Sequence, residues 1–435
     1  MDNSVKNWSQ PPVGRDPGRL LCALWCAMSG QQWLLLMLGA TVIAIASATE
    51  SVLDLRTAPP GVCYTNAVLA EVPWSIHVVS VQRGRPGYEI QSRHAGGGAL
   101  GLSTLSDQVA ATNPALGTPV AAINGGFYRR DNVYAGCPRG VQIVEGEVLS
   151  APSGNASFWI DILGEAHLTN VTSRFEVTWP DGAVTPFALN GERANDGIEL
   201  YTPAMGFSTH TVGGRELVLE RQPGSRWLPL RMGRSYTAQV RAVRREGNTS
   251  LEPGFMVLSL GPGVMNRFQG VGTGAILRLA TGSVPALLGA RTALSGGPLL
   301  VRNGKRQRVR SSPEDPYELS SMLERHPRTA FGWNKQWYFL VQVDGRQRDL
   351  SVGMTLDELS AWLVKLGCEE ALNLDGGGSS SLWFEGRVRN NPCDGYERTI
   401  ANSLLVVQKQ AGTGEKRSQA KSPTDLPERS KDNGN

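Results

Sequence analysis

An α+β fold, with a mostly β-sheet body and a few helices packed on the sheet, is what this 435-residue sequence predicts. Three observations carry that expectation. The 51 glycines and 26 prolines demand frequent turns. Between Val141 and about Arg310 the chain consists of short apolar runs cut by turn pairs such as Asp181-Gly182, Gly213-Gly214 and Gly296-Gly297, a spacing that suits strands. One segment, "TLDELSAWLVKLGC", breaks the pattern with helical periodicity, placing Leu359, Leu363 and Leu366 on one face.

In chain order, Lys6, Arg15 and Arg19 precede an apolar run from Trp33 to Ala48. The run is shorter than the roughly 20 residues of a spanning helix and ends in Ala46-Ser47-Ala48, so it reads as an export signal cleaved after Ala48, with an uncleaved membrane anchor as the alternative. The body is then exported, periplasmic or extracellular, and touches a membrane only through residues 1–48. "WSIHVVSVQ" from Trp74 alternates as an early strand. In "TLSDQVAATNPAL", Ser106 precedes a short helical pattern that Pro114 stops, and "PVAAINGGFYRR" is a strand running into an Asn-Gly-Gly turn. The clearest helix has Thr355 as N-cap, Glu358 closing a capping box and Gly367 as its stop. It lies between the strands "WYFLVQVDGR" and "ALNLD", which place Asp344 and Asp375 at two strand ends; if the strands are parallel neighbours, both carboxylates meet at one sheet edge. Residues 60–408 form the extended domain, and the polar stretch 409–435 reads as a disordered tail.

Composition narrows the function. Hydrophobic residues make up 40% and charged residues 19%, enough for a core. A net charge of +4 without a dense basic stretch gives nucleic-acid binding no support. Of six cysteines, Cys63, Cys137, Cys368 and Cys393 lie in the exported part; Cys368 with Cys393 is a plausible bridge, although four cysteines permit three pairings. The histidines His77, His94, His167, His210 and His326 show no metal-type spacing and read as structural or surface residues. No cofactor is expected. A divalent cation at the aspartates is allowed but unassigned, since no EF-hand pattern is present.

The most distinctive stretch is "NLDGGGSSSLWFEG", Asn373 to Gly386. It lacks the Gly-Lys-Ser/Thr of a P-loop, and its β-rich continuation offers no helix N-terminus to a phosphate. Alone it reads first as a hairpin between "ALNL" and "SLWF". The other reading is a loop whose bare amides and hydroxyls hold a phosphate or sugar beside Asp375. "INGGFY", Ile123 to Tyr128, repeats the strand-Asn-Gly-Gly pattern, and "HPRTAFGW" sends Arg328 and Thr329 into a strand. In isolation such an arginine is ordinarily a solvated edge residue, yet a guanidinium is the side chain best suited to grip phosphate.

The ordered set "INGGFY", "GGPLLVRNG", "RTAFG", "VDGR", "LNLDGGGSS" and "NNPCDGYERTIANSLLV" resembles the phosphodiester glycosidase family, in its bacterial branch. Two departures stand out: Cys393 where relatives more often carry Ser, and Phe331 where Ile is more usual. The resemblance implies hydrolysis of the bond between a sugar's anomeric carbon and phosphate, in a sugar phosphodiester or phosphate-containing glycan. It assigns Asp375 to the charge developing at the anomeric carbon, Arg328 to the phosphate and Asp344 to the role of second carboxylate. Asn124, Gly125, Gly126, Thr329, Gly376, Gly377, Gly378 and Ser379 would form the substrate-binding walls. The competing class is a non-catalytic cell-wall or exopolysaccharide binding module using the same pocket.

Overall fold

The computed structural model describes residues 59–409 apart from 70, 96–98 and 310–318; the export segment and the polar tail lie outside the described residues. The run Trp74–Gln82 is a strand, as its sequence predicts. Its side chains are buried almost throughout because it has a neighbour on each side, Val62–Leu69 and Trp337–Val343, both antiparallel. These belong to a seven-stranded sheet that continues through Arg328–Trp333, Glu370–Asn373, Leu299–Arg302 and Lys305–Arg306. A five-stranded sheet contains Leu382–Phe384, Thr118–Asn124, Asn402–Gln408 and Tyr88–His94 in that order, and a second five-stranded sheet centres on Thr292–Ser295. The largest sheet has eight strands and includes Ile198–Tyr201 and Met256–Leu260. The body is therefore mostly β.

Sheet-on-sheet packing holds it together. Phe158 and Phe331, each 1% exposed, meet edge to face with ring centroids 4.7 Å apart, in a core that also takes Leu294, Leu340, Leu372, Leu382 and Leu404 from three sheets. The helix Leu356–Leu366 forms as the sequence dictates: the Thr355 hydroxyl accepts from the Glu358 amide, the Glu358 carboxylate accepts from the Thr355 amide, and Gly367 ends it in the left-handed region at φ 94°. Its face of Leu359 and Leu363 packs with Ile76, Val341 and Ala371 of the seven-stranded sheet. The earlier helix, Leu105–Ala110, starts from Thr104 rather than around Ser106, because Asp107 closes a capping box with Thr104. No helix among the described residues is long and apolar enough to cross a membrane.

Three expectations need correction. The strands Trp337–Val343 and Glu370–Asn373 do run parallel, but Arg328–Trp333 lies between them, antiparallel to both. The crossover through the helix skips one strand position, so their C-terminal ends still share an edge, with Arg328 entering beside them opposite Val343. Nor is "NLDGGGSSSLWF" a hairpin. Glu370–Asn373 belongs to the seven-stranded sheet and Leu382–Phe384 to the five-stranded one, so the glycine loop crosses from sheet to sheet. Finally, Cys368 and Cys393 are not bridged: Cys368 is buried in the core under the helix, and the Cys393 thiol donates to Asp394 Oδ1 at 3.4 Å.

Candidate active site

The two glycine turns meet because their strands are neighbours. Ile123, just before Asn124, pairs with Leu382, just after the glycine loop. Asn124 is buried and satisfied on both ends of its amide. Its Oδ1 accepts from the Thr329 hydroxyl (2.6 Å) and the Ser381 amide (3.0 Å), while its Nδ2 donates to the Asp375 carbonyl (2.7 Å). The Asp375 amide donates in turn to the Gly125 carbonyl (3.0 Å). Asp375 thus has its backbone gripped on both sides, the kind of support that fixes a reactive group in place.

Its side chain is treated differently. Oδ1 accepts from the Gly376 amide at 2.9 Å, but Oδ2 is buried with no hydrogen-bond partner and stands 3.6 Å from Arg130 Nη2. Burial pushes the Asp375 carboxyl above the usual carboxylate range, opposed by the Ser379 hydroxyl and the Arg130 charge. An unsatisfied buried carboxylate oxygen costs stability, and such cost is characteristic of functional sites.

Asp375 lies in a cleft of about 1130 Å³. One wall carries Gly376, Gly377 and Gly378 with Arg130, Arg346 and Arg398; another carries Leu189, Gly191, Glu192 and Glu199. The arginines are held in different ways. Arg130, with 56% of its side chain exposed, lies 5.8 Å from the centroid of the Tyr128 ring. Arg346 sits at φ 61°, a conformation that costs a non-glycine residue about 1 kcal/mol or more and that clusters at binding sites. A Cβ on Gly377 would come 3.2 Å from its guanidinium. Arg398 is paired with Asp394 at 2.6 Å, and a Cβ on Gly378 would collide with it. The glycines therefore let two guanidinium groups lie against the main chain.

The residues singled out from sequence divide into lining and support. Asp375, Gly376, Gly377, Gly378 and Arg328 border the cleft; Asn124, Gly125, Gly126, Thr329, Ser379 and Asp344 do not. Gly126 is required by packing, since a Cβ there would run into the Ser295 carbonyl. Ser379 is buried, 3.4 Å from the Tyr128 hydroxyl. Two of the three glycine amides are already committed, Gly376 to Asp375 and Gly377 to the Pro327 carbonyl at 2.9 Å.

Arg328 is not a free phosphate grip. Its Nε donates to the Met354 carbonyl (2.8 Å) and its Nη2 to the carbonyls of Ser321 (2.5 Å) and Glu324 (2.8 Å). Burial, reinforced by the Arg346 charge, lowers its pKa to about 10. Asp344 is fully buried, with Oδ2 2.9 Å from His77 Nε2 and Oδ1 accepting from the Asn391 amide at 3.0 Å. Despite that burial, these hydrogen bonds hold its carboxyl below the usual range. The expected edge thus gathers Asp375, Arg328 and Asp344, but only Asp375 offers an unengaged oxygen. Among the described residues no group of three or more His, Cys, Asp or Glu side chains gathers as a metal site would.

Sequence reasoning passed over Arg130, Arg346, Arg398 and Glu199. Three of them lay within quoted motifs, Arg130 closing "INGGFYRR", Arg346 closing "VDGR" and Arg398 in "DGYERT". Glu199, in "IELYTP", gave no local sign, because a carboxylate in a strand is ordinarily a solvated face.

Residues 264–407 match the phosphodiester glycosidase family. A curated relative, the SPbeta prophage-derived uncharacterized protein YomE of Bacillus subtilis (strain 168), is 32% identical over 119 residues, which are 27% of this chain and 18% of that protein. The matched segment is thus under a fifth of the relative's length. Two solved structures share the fold. A hypothetical protein from Synechocystis superposes with a TM-score of 0.66 at 21% identity, covering 80% of this chain and 62% of that one. A candidate exported protein of Burkholderia pseudomallei K96243 gives 0.59 at 22% identity, covering 77% and 74%. Residues 264–407, which carry Arg328, Asp344 and the Gly376–Gly378 loop, are thus similar to the phosphodiester glycosidase family.

Proposed function

We propose that the protein is an exported hydrolase that cleaves the bond between a sugar's anomeric carbon and phosphate in a sugar phosphodiester or phosphate-containing glycan. The observation that carries this reading is the Asp375 Oδ2 atom, buried and without a hydrogen-bond partner in a cleft that Arg130, Arg139, Arg328, Arg346 and Arg398 border. Export draws support from the basic-then-apolar N-terminus and from the naming of the Burkholderia relative.

A phosphodiester carries one negative charge, and Arg130, Arg346 and Arg398 offer it a seat beside the glycine loop. As the anomeric carbon–oxygen bond breaks, its electron pair leaves with the phosphate and positive charge grows on the sugar ring. Asp375 stabilises that charge, by ion pairing or by direct attack, and water completes the hydrolysis. The leaving group is already acidic, so little protonation is needed. Arg328 acts as a positioning residue through the three carbonyls it holds, and Asp344 through Asn391, whose loop leads to Asp394 and Arg398. Gly376 to Gly378 shape the seat, and Asn124, Gly125, Thr329 and Ser379 support Asp375 from behind.

A panel of phosphodiester-linked sugars tests the reading. Release of reducing sugar from at least one member, absent in Asp375→Asn, is expected; saturable binding without release would leave only a binding module.

A further inference from the structure

Glu199 is the buried acid that the chemistry above does not use. It lies outside the segment that matches the family, on the strand Ile198–Tyr201 of the eight-stranded sheet, where it pairs with Ser259. It is 4% exposed, yet it borders the same cleft as Asp375. Its Oε1 accepts from the Gly191 amide at 2.7 Å; its other oxygen takes no hydrogen bond, and no Arg or Lys forms an ion pair with it, among the described residues. The nearby cations are spent elsewhere. Arg129 pairs with Glu192, and Arg193 donates to Ser259 Oγ and to the carbonyls of Val212 and Gly213.

We propose that Glu199 is a substrate-contacting residue, donating a hydrogen bond from its carboxyl to an oxygen of the sugar whose phosphate lies against the arginine wall. This rests on the sugar-phosphodiester reading of the cleft. Burial supports it by pushing the Glu199 carboxyl up to about 8, with the Gly191 amide acting weakly the other way. The titratable groups around it, Cys137, raised to about 12, and Tyr134 and Tyr201, are all raised chiefly by burial and so carry no charge at neutral pH. Glu192 adds negative charge that Arg129 offsets. A neutral acid presents an anionic substrate with a donor and no repulsion, as a charged carboxylate could not. Below pH about 8 the donor is present; above it the proton is lost, and binding weakens by about tenfold per pH unit, as a single ionisation requires.

The test measures two quantities from pH 6 to 10 for wild type and Glu199→Gln. One is calorimetric affinity for glucose 1-phosphate methyl ester and its N-acetylglucosamine counterpart; the other is turnover of the same compounds. Glutamine keeps a donor but cannot ionise. The expected result is wild-type affinity that falls above pH 8, with Glu199→Gln within about fivefold at pH 7 and flat above pH 8. The same alkaline fall in both proteins, no fall in wild type, or a loss beyond a hundredfold in Glu199→Gln at pH 7 would overturn the assignment. If the binding pattern holds but wild type turns over neither compound, nor any member of the wider panel, the hydrolase reading fails and the Glu199 contact stands.

Discussion

Arg130 Nη2 stands 3.6 Å from Asp375 Oδ2, just beyond hydrogen-bond distance, although that oxygen is buried and has no other partner. The two residues come from different loops, one following Asn124-Gly125-Gly126 and the other opening the Gly376–Gly378 run. The gap leaves the carboxylate ionisable and unsatisfied, while the guanidinium, largely exposed, is free to reach a substrate anion.

Asp375→Asn keeps the shape of the side chain and removes its charge. Turnover should fall by at least ~100-fold, the lower range for a positioned acid–base or nucleophilic carboxylate. Burial raises the Asp375 pKa, so the folded protein binds this proton more tightly than the unfolded chain and loses stability as pH rises through the folded value. The variant should therefore melt no lower than wild type at pH 7. A calorimetric scan beside the rate measurement separates lost chemistry from lost fold.

The same raised pKa sets the acid limb of the rate profile. Asp375 acts as the carboxylate, so kcat/KM should fall with decreasing pH at a value above that of an ordinary aspartate. A limb at or below the usual aspartate range would mean that another group controls activity.

Arg130→Ala should raise KM for a phosphodiester more than it lowers kcat, and Arg130→Lys should recover part of the loss. Because more than half of the side chain is exposed, stability should change by no more than ~0.5 kcal/mol. Steady-state kinetics over a range of salt concentrations checks this, since a partly exposed charge is screened.

Gly126→Ala tests the supporting layer. The added methyl would meet the Ser295 carbonyl, which is backbone and cannot swing aside. Destabilisation of about 1–3 kcal/mol is expected, as for overpacking in a filled interior. Thr355→Ala, which removes only a helix cap, should cost about 1 kcal/mol and leave activity unchanged. Denaturant titration distinguishes the two.

What the sequence disclosed follows the range of the physics. Thr355, Glu358 and Gly367 are within a dozen residues of one another, so the long helix could be read directly. Asp344 and Asp375 share one sheet edge as the strand-helix-strand order suggests, because that order constrains direction even though Arg328–Trp333, unplaced by the sequence, lies between the two strands. The hairpin reading failed at Ser381, where the partner of Leu382 is not the preceding strand but Ile123, some 260 residues earlier in the chain. Pairing over such a distance leaves no local trace. The same limit hid Glu199 and made Arg328 look like a ligand grip, since its three carbonyl acceptors lie in segments that sequence does not place beside it.

Cleavage of a sugar phosphodiester in heavy-oxygen water, with both products analysed by mass spectrometry, tests the central claim most directly. Attack at the anomeric carbon should put the label in the sugar hydroxyl and none in the released phosphomonoester. Label in the phosphate would show that the phosphorus–oxygen bond had broken, and would contradict the assignment of Asp375 to the anomeric centre.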